Sequence, residues 1–213
     1  MEHEFEFLKG PLSAKHVPIA FYRDFLDADL HARLLAFALA HETDFEPSGV
    51  GLSNINPAYR VSSINRRMGP LRKEVRDIIR AHLPDFCNRF GMRNVDESRI
   101  EVEMAAHGDG AFYVRHIDTR TGDSRIARAI SAVYYFFRQP KTFAGGELRM
   151  FAFGSPDSAR YLDVEPQDNL LAVFPSFIPH EVRPVSVPSG RFEDNRFAIN
   201  IWTHAILPKG AGS

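Results

Sequence analysis

The second half of this chain consists of short apolar segments that are separated by turn residues and show no helical period. Beyond about residue 98, β-branched and aromatic residues cluster in runs bounded by Gly, Pro, Asp and Ser. Runs of this kind predict β-strands, and several in succession without intervening helices predict a sandwich or a barrel. The predicted strand segments are IEVEMAAH, AISAVYYFF, ELRMFAF, NLLAVFP, HEVRPVSV and RFAINIWTH.

The earlier part of the chain has helical periodicity instead. One helix is predicted over residues 27–42, with Asp27 as its N-cap and an apolar stripe along one face. A second helix is predicted to carry Pro70 in its first turn and to stop at Gly91. Pro84 lies inside this second segment, where we expect it to kink or split the helix.

These two patterns predict the organisation of the chain. We expect one domain, residues 1–213, that is mainly β with N-terminal supporting helices. Residues 1–97 would form the helical support and a loop region, and residues 98–206 the β core. Residues 48–63 are rich in Gly, Ser and Asn, which predicts a loop or irregular hairpin long enough to cover a site.

Composition limits the classes of partner and compartment. The chain has 26 basic and 27 acidic residues, so we expect neither nucleic acid nor a membrane surface as a partner. Cys87 is the only cysteine, which fits a reducing compartment. The acidic N-terminus is not a signal peptide, and no apolar run reaches the ~18 residues of a membrane span. A cytoplasmic protein is the resulting prediction.

The segment FYVRHID carries the first chemical signal. On a strand, residues i and i+2 share a face, so His116 and Asp118 are expected to point the same way, with Ile117 opposite. An imidazole beside a carboxylate is either a buried hydrogen-bonded pair or two-thirds of a metal site, and this spacing alone does not separate the two.

A third ligand is available at His180. His31, His41 and His82 fall in the predicted helices, whereas His180 stands where a turn passes into a strand. Two histidines and one carboxylate on rigid strands, with open coordination positions, are what a non-haem Fe(II) oxygen-activating centre requires.

An arginine follows on the last predicted strand. Arg196 opens RFAINIW, where Arg196, Ala198, Asn200 and Trp202 would share a face. An arginine among apolar neighbours is costly unless it meets an anion, and its planar fork suits a carboxylate. The alternative is an ordinary ion pair with an acidic side chain of the chain itself.

Four ordered motifs between residues 100 and 204 resemble those of the 2-oxoglutarate and Fe(II)-dependent dioxygenases. Within that superfamily they are similar to the prolyl hydroxylase branch, which includes the hypoxia-inducible-factor prolyl hydroxylases and bacterial relatives. The resemblance implies a double-stranded β-helix, a jelly-roll or cupin-like core of two facing sheets. The motifs are FYVRHIDTRTGDSRIARAISAVYYFF, GGELRMF, VEPQDNLLAVFPSFIPHEVRPV and RFAINIW.

The resemblance also implies a set of site residues. It assigns iron binding to the ligand set His116, Asp118 and His180. It assigns the far carboxylate of 2-oxoglutarate to Arg196 and Tyr135, and a polar position near the metal to Asn200. Arg125 matches a basic position near the mouth of the site. The implied cofactors are Fe(II), 2-oxoglutarate as co-substrate and dioxygen, and ascorbate is a candidate reductant.

Two departures from the family pattern bear on the co-substrate. The spacing from His180 to Arg196 is longer than usual, and Arg191 falls nearer to the common distance. We choose Arg196 because it heads a strand, whereas Arg191 lies in a predicted turn. Many relatives also carry a tyrosine in the strand before H-x-D. Here that strand offers His107, which we expect to face water, while Tyr113 could supply part of the missing role.

Three functions remain open at this point. The resemblance favours hydroxylation of a prolyl residue in a protein or peptide. The same iron and co-substrate motifs would serve an oxygenase that acts on a free amino acid or natural product. A cupin-like metal-binding protein without turnover is the third possibility.

Overall fold

The computed structural model describes residues 5–49, 56–93, 95–119, 126–152 and 159–206. Its helices are α1 (Ala28–Ala40) and α2 (Gly69–Phe90), with 3₁₀ turns at Glu42–Asp44 and Phe192–Asp194. Its strands are β1 (Leu8–Lys9), β2 (Ala20–Tyr22), β3 (Glu46–Pro47), β4 (Arg60–Val61), β5 (Ser63–Asn65), β6 (Val95–His107), β7 (Phe112–His116), β8 (Ile126–Phe136), β9 (Ala144–Gly145), β10 (Leu148–Phe151), β11 (Tyr161–Val164), β12 (Leu170–Pro175), β13 (His180–Val182), β14 (Val185–Ser186) and β15 (Arg196–Ile206).

Two antiparallel sheets face each other across an apolar core. The larger sheet has the order β2-β12-β8-β15-β6-β5-β3, and the smaller has the order β1-β11-β10-β13-β7-β4. Strands β9 and β14 form a separate two-stranded ribbon. The prediction of a mainly β chain with a double-stranded β-helix core is confirmed.

The larger sheet is buried on both faces, which explains its nearly continuous apolar strands. On β8, Tyr134 and Phe136 point to a core shared with the two helices, whereas Tyr135 points to the core between the sheets. Phe174 of β12 and Leu148 of β10 meet in that second core. The helices therefore support the sheet from outside and leave its other face free to build a site.

Both predicted helices are present. The Asp27 side chain accepts the main-chain N–H of Leu30 at 2.8 Å and so caps α1. Gly91 ends α2 in the left-handed conformation, with φ of 62°. Pro84 does not split α2, which runs unbroken through it. Neither helix is long and apolar enough to cross a membrane.

The predicted loop at 48–63 contains two short strands, β4 and β5, that extend the two sheets by pairing with β7 and β6 respectively. Residues 50–55 of that loop lie outside the described ranges, so the expectation that it covers a site stays a prediction.

Asn169 ties the helical layer to the larger sheet. Its Oδ1 accepts hydrogen bonds from the main-chain N–H of Leu26 at 3.0 Å and from the Tyr134 hydroxyl at 2.9 Å. Its Nδ2 donates to the Leu26 carbonyl at 2.9 Å. The residue has a φ of 55°, a conformation that asparagine tolerates better than most residues. One side chain thus joins the start of α1 to β8.

We expect Asn169→Ala to lower the free energy of unfolding by about 3 kcal/mol, because it removes three hydrogen bonds and puts a Cβ-bearing residue without a polar group at positive φ. Urea unfolding measures the loss. Asn56→Ala is the control, since Asn56 is exposed and, among the described residues, its side chain bonds only to the main-chain N–H of Ala58, so its effect should stay within about 0.5 kcal/mol. Equal small losses in both variants would contradict this account of how the layers are joined.

Candidate metal and anion site

Three predicted ligands meet at one end of the smaller sheet. His116 ends β7, His180 begins β13, and the two are direct partners in the register of these strands. The Nε2 atoms of His116 and His180 each lie 3.5 Å from a different carboxylate oxygen of Asp118. The ligand atoms of all three residues lie within 4.8 Å of one another. The three side chains are nearly buried, so they form a compact internal cluster and not a chance grouping of exposed surface residues.

The expected strand alternation is not what aligns Asp118 with His116. Strand β7 ends at His116, and Asp118 lies in the bend that follows. The main-chain N–H of Asp118 donates to the Ser176 carbonyl at 2.9 Å, which anchors the bend to the end of β12. Ile117, between the two ligands, points outward and is 45% exposed. The H-x-D spacing brings the two side chains together here because the hydrogen bond to Ser176 fixes the backbone at Asp118.

Hydrogen bonds to the main chain orient both imidazoles in the same way. Nδ1 of His116 lies 2.8 Å from the Val114 carbonyl, and Nδ1 of His180 lies 2.9 Å from the Ile178 carbonyl. A carbonyl only accepts, so each Nδ1 carries the proton and each Nε2 is left with a lone pair. Those lone pairs are what a metal ion binds.

Burial and repulsion from the neighbouring His116 together lower the pKa of His180 to about 4, although Asp118 acts in the opposite direction. The ring is therefore neutral at physiological pH. Tyr113 stacks on the His116 ring, with centroids 3.6 Å apart, and Phe174 meets the His180 ring edge-on at 4.8 Å. These aromatic contacts fix both imidazole planes, so little ordering remains when a metal binds.

Asp118 is held by donors from the opposite sheet. Its Oδ2 accepts from the Ser131 hydroxyl at 2.7 Å and from the Trp202 indole N–H at 2.9 Å. Burial raises the pKa of the Asp118 carboxyl, but the His180 and His116 rings and the Trp202 donor outweigh burial and bring the pKa well below its usual range. Asp118 is thus ionised, and its Oδ1 lies 3.5 Å from Nε2 of His116.

Two of these partners were not predicted from the sequence. Trp202 was expected only to share a face of its strand with Arg196, but its indole N–H also donates to Asp118. Ser131 was not singled out, although a serine within the apolar run AISAVYYFF was a signal, because buried hydroxyls find hydrogen-bond partners. Arg128 stacks 3.9 Å from the centroid of the Trp202 ring and fixes its plane.

Arg196 lies in the same cavity as the metal cluster, which also has Asn200 and Trp202 in its lining. The residue is 1% exposed, and burial lowers the pKa of its guanidinium. Its Nη1 lies 3.1 Å from Nδ1 of His107, and its Nε has no hydrogen-bond partner. Among the residues that the structure describes, no carboxylate forms an ion pair with it. A buried cation without a counter-ion is a site that requires an anion.

The rival arginine is occupied elsewhere. Arg191 lies in the turn before β15, where its side chain is 59% exposed and its Nη2 lies 2.7 Å from Asp194 Oδ2. It therefore contributes to the turn and does not line the cavity. The preference for Arg196, made because it heads a strand, agrees with this geometry.

The remaining predicted residues differ in their surroundings. Tyr135 is fully buried, its ring lies 4.8 Å from the Arg196 guanidinium carbon, and its hydroxyl has no partner among the described residues. Asn200 lies on the cavity face of β15, opposite Val133. The expectation that His107 faces water was wrong, because it is 4% exposed and lines the cavity. Arg125 lies outside the described residues.

The structure explains the two glycines that open the motif GGELRMF. Gly146 has a φ of +73°, and a Cβ there would lie 2.7 Å from Cδ and 3.1 Å from Nε of Arg196. At Gly145 a Cβ would lie 2.2 Å from the Pro184 carbonyl oxygen. A side chain at Gly145 would collide with the Pro184 main chain, and one at Gly146 would collide with the Arg196 side chain, so Gly146 makes room for the buried arginine.

Comparison with known proteins gives a consistent result. Residues 102–204 match the 2OG-Fe(II) oxygenase superfamily. An uncharacterized PKHD-type hydroxylase of Synechocystis is 27% identical over 187 residues, which are 84% of this chain. The chain spans only 61% of the length of that relative.

Two solved structures share the fold. A prolyl-4-hydroxylase of Pseudomonas putida superposes with a TM-score of 0.66 and 26% identity, over 90% of this chain and 95% of that protein. A prolyl hydroxylase of Trichoplax adhaerens, solved with a hypoxia-inducible-factor peptide, has a TM-score of 0.68 and 20% identity, over 89% and 84% of the two chains.

We expect Trp202→Phe and Ser131→Ala each to weaken divalent-metal binding by about 10- to 100-fold, because each removes a donor that orients the Asp118 carboxylate. Anaerobic calorimetric titration with Fe(II) measures the affinity. Ser98→Ala is the matched control, since the Ser98 hydroxyl donates to Asp96 at 2.6 Å in an exposed pair far from the cluster. Unchanged affinity in both variants would show that the donors to Asp118 are irrelevant to metal binding.

Proposed function

We propose that this protein is an Fe(II)- and 2-oxoglutarate-dependent dioxygenase that hydroxylates a prolyl residue in a protein or peptide, and the match of residues 102–204 to the 2OG-Fe(II) oxygenase superfamily supports this proposal. The observation that carries the proposal is that one cavity combines a set of metal-binding side chains with a buried arginine. One wall offers the imidazole nitrogens of two histidines and a carboxylate, and another offers Arg196, which forms no ion pair among the described residues.

The donor set suits ferrous iron. His116 and His180 would bind through Nε2 and Asp118 through a carboxylate oxygen, a donor set of two histidines and one carboxylate that suits non-haem Fe(II) in oxygenases. With iron, 2-oxoglutarate and dioxygen bound, such a centre converts 2-oxoglutarate to succinate and carbon dioxide and inserts one oxygen atom into a substrate C–H bond. The cofactor set supplies this oxidising chemistry, and the protein supplies its geometry.

The remaining residues of the cavity would bind and orient the co-substrate. Arg196 would take the far carboxylate of 2-oxoglutarate, with the Tyr135 hydroxyl as a further donor, since Nε of Arg196 and the Tyr135 hydroxyl have no hydrogen-bond partner among the described residues. Asn200 would bond to co-substrate or water near the metal. Phe174 and Leu148 add apolar walls that keep bulk water away from the reacting atoms.

Two observations favour a peptide over a small molecule. The chain is similar along 90% of its length to a prolyl-4-hydroxylase, and its fold matches a prolyl hydroxylase solved with a peptide. Two exposed apolar side chains also flank the cluster: Ile117 is 45% and Phe177 39% exposed. Exposed large apolar residues beside an active cavity suit a partner that extends beyond it.

The direct test is succinate formation with Fe(II), 2-oxoglutarate and ascorbate, screened against proline-containing peptides and free amino acids. We expect peptide-dependent succinate and a hydroxylated prolyl product detected by mass spectrometry. Asp118→Ala should reduce turnover to background, because it removes the only carboxylate of the cluster. Turnover only with free amino acids would favour the small-molecule oxygenase, and metal binding without succinate under any condition would favour a non-catalytic protein.

We expect Arg196→Ala to raise the KM for 2-oxoglutarate by about 30-fold or more, because it removes the charge partner of a buried carboxylate. Steady-state kinetics at varied 2-oxoglutarate measures the change. Arg191→Ala is the matched control, since its exposed side chain pairs with Asp194 and should leave KM within about 2-fold. A large effect from Arg191→Ala with Arg196→Ala silent would reverse the assignment.

A further inference from the structure

His107 is a buried histidine that neither the metal cluster nor the helical layer uses. It ends β6, directly opposite Arg196 in the strand register. Its Nδ1 lies 3.1 Å from Nη1 of Arg196, and its ring also lies close to the Arg196 main chain. The position of this buried imidazole against the Arg196 side chain indicates a role in the site of that arginine.

The charge state of this histidine follows from its partner. A guanidinium has donors and no acceptor, so Nδ1 of His107 must offer a lone pair and the ring must be neutral. Burial lowers the pKa of His107 well below its usual range, and the charges of Arg196 and Arg60 lower it further. His107 is therefore a fixed acceptor for Arg196 across the physiological pH range.

That acceptor decides which edge of the guanidinium stays available. With Nη1 engaged by His107, the edge formed by Nε and Nη2 remains, and Nε has no partner. Gly146 packs beside the Arg196 side chain, and a Cβ there would lie 2.7 Å from Cδ and 3.1 Å from Nε. The planar fork of arginine binds a carboxylate through two parallel N–H groups, and the Nε–Nη2 edge provides such a pair.

We propose that His107 is a positioning residue: it holds Nη1 of Arg196 so that the arginine presents its Nε–Nη2 edge to the far carboxylate of 2-oxoglutarate. This inference rests on the proposed function, because that function supplies the carboxylate. Packing alone would account for the burial of His107. It would not account for the orientation of the Nδ1 acceptor of His107 toward the guanidinium of Arg196.

The test compares two replacements that differ in one property. His107→Asn keeps an acceptor, because the Asn side-chain oxygen can occupy the place of Nδ1. His107→Leu fills similar space without an acceptor. The measurement is calorimetric titration of Mn(II)-loaded protein with 2-oxoglutarate and, separately, with pyruvate, which retains the keto acid but lacks the far carboxylate.

We expect His107→Leu to weaken 2-oxoglutarate binding by about 10- to 100-fold, the range for losing a hydrogen bond to a charged group, and to leave pyruvate binding unchanged. His107→Asn should stay within about 3-fold of the parent protein for both ligands. In a double-mutant cycle, His107→Leu should add nothing to Arg196→Ala, because its effect passes through the arginine. In turnover, His107→Leu should raise KM with little change in kcat.

Three results would overturn the proposal. Equal losses for 2-oxoglutarate and pyruvate would mean that the substitution damages the cavity as a whole. Equal behaviour of His107→Leu and His107→Asn would mean that the acceptor is irrelevant. Additive losses with Arg196→Ala would mean that His107 acts independently of the arginine. A different result would contradict the proposed function itself: a parent protein that binds Mn(II) but no 2-oxoglutarate. The parent protein alone shows that result, so it is distinguishable from a failure of the His107 proposal, which only the variants show.

Discussion

The carboxylate of Asp118 is the point at which the two sheets depend on each other. Its chain segment follows β7 of the smaller sheet, but its hydrogen-bond donors, Ser131 and Trp202, belong to β8 and β15 of the larger one. An ionised carboxylate removed from water is stable only if charges and donors surround it. The cluster therefore forms only when both sheets are folded and correctly spaced, which makes the site a consequence of the complete fold and not of one motif.

The helical layer contributes to this spacing from outside. Tyr134 on β8 faces α1, where its hydroxyl meets His31 at 2.6 Å and Asn169 at 2.9 Å. Its neighbours in the chain, Val133 and Tyr135, face the core between the sheets. Because alternate residues of one strand point to opposite faces, anchoring the outer face also fixes the inner one. The rigidity of the cavity wall is thus set partly by contacts that never touch the cavity.

Much of the site could be predicted because its signals were local. The H-x-D spacing of His116 and Asp118, the turn-to-strand position of His180 and the strand-heading position of Arg196 are all readable in short windows of sequence. What could not be predicted depends on strand register. That β6 ends opposite Arg196, and so buries His107, follows from a pairing of residues 89 positions apart. Trp202 meets Asp118 across 84 positions, and no local pattern encodes such a meeting. The helix boundaries, by contrast, followed from caps at Asp27 and Gly91, which act within one turn.

The balance of charge in the cavity bears on how its ligands would bind. Among the described residues that line it, Asp118 is negative and Arg196 is positive, and the third charged side chain, Arg60, lies 3.7 Å from the carboxylate of Glu103. A ferrous ion alone would add two positive charges to this desolvated space, and a 2-oxoglutarate dianion alone would add two negative ones. Either addition is costly at low dielectric. The two charges cancel when both ligands are bound, so under the proposed function each ligand favours the other's binding. By thermodynamic reciprocity, the factor by which iron strengthens 2-oxoglutarate binding equals the factor by which 2-oxoglutarate strengthens iron binding. The carboxylate bound by His107-oriented Arg196 would then stabilise the metal cluster on the other side of the cavity without any contact between them.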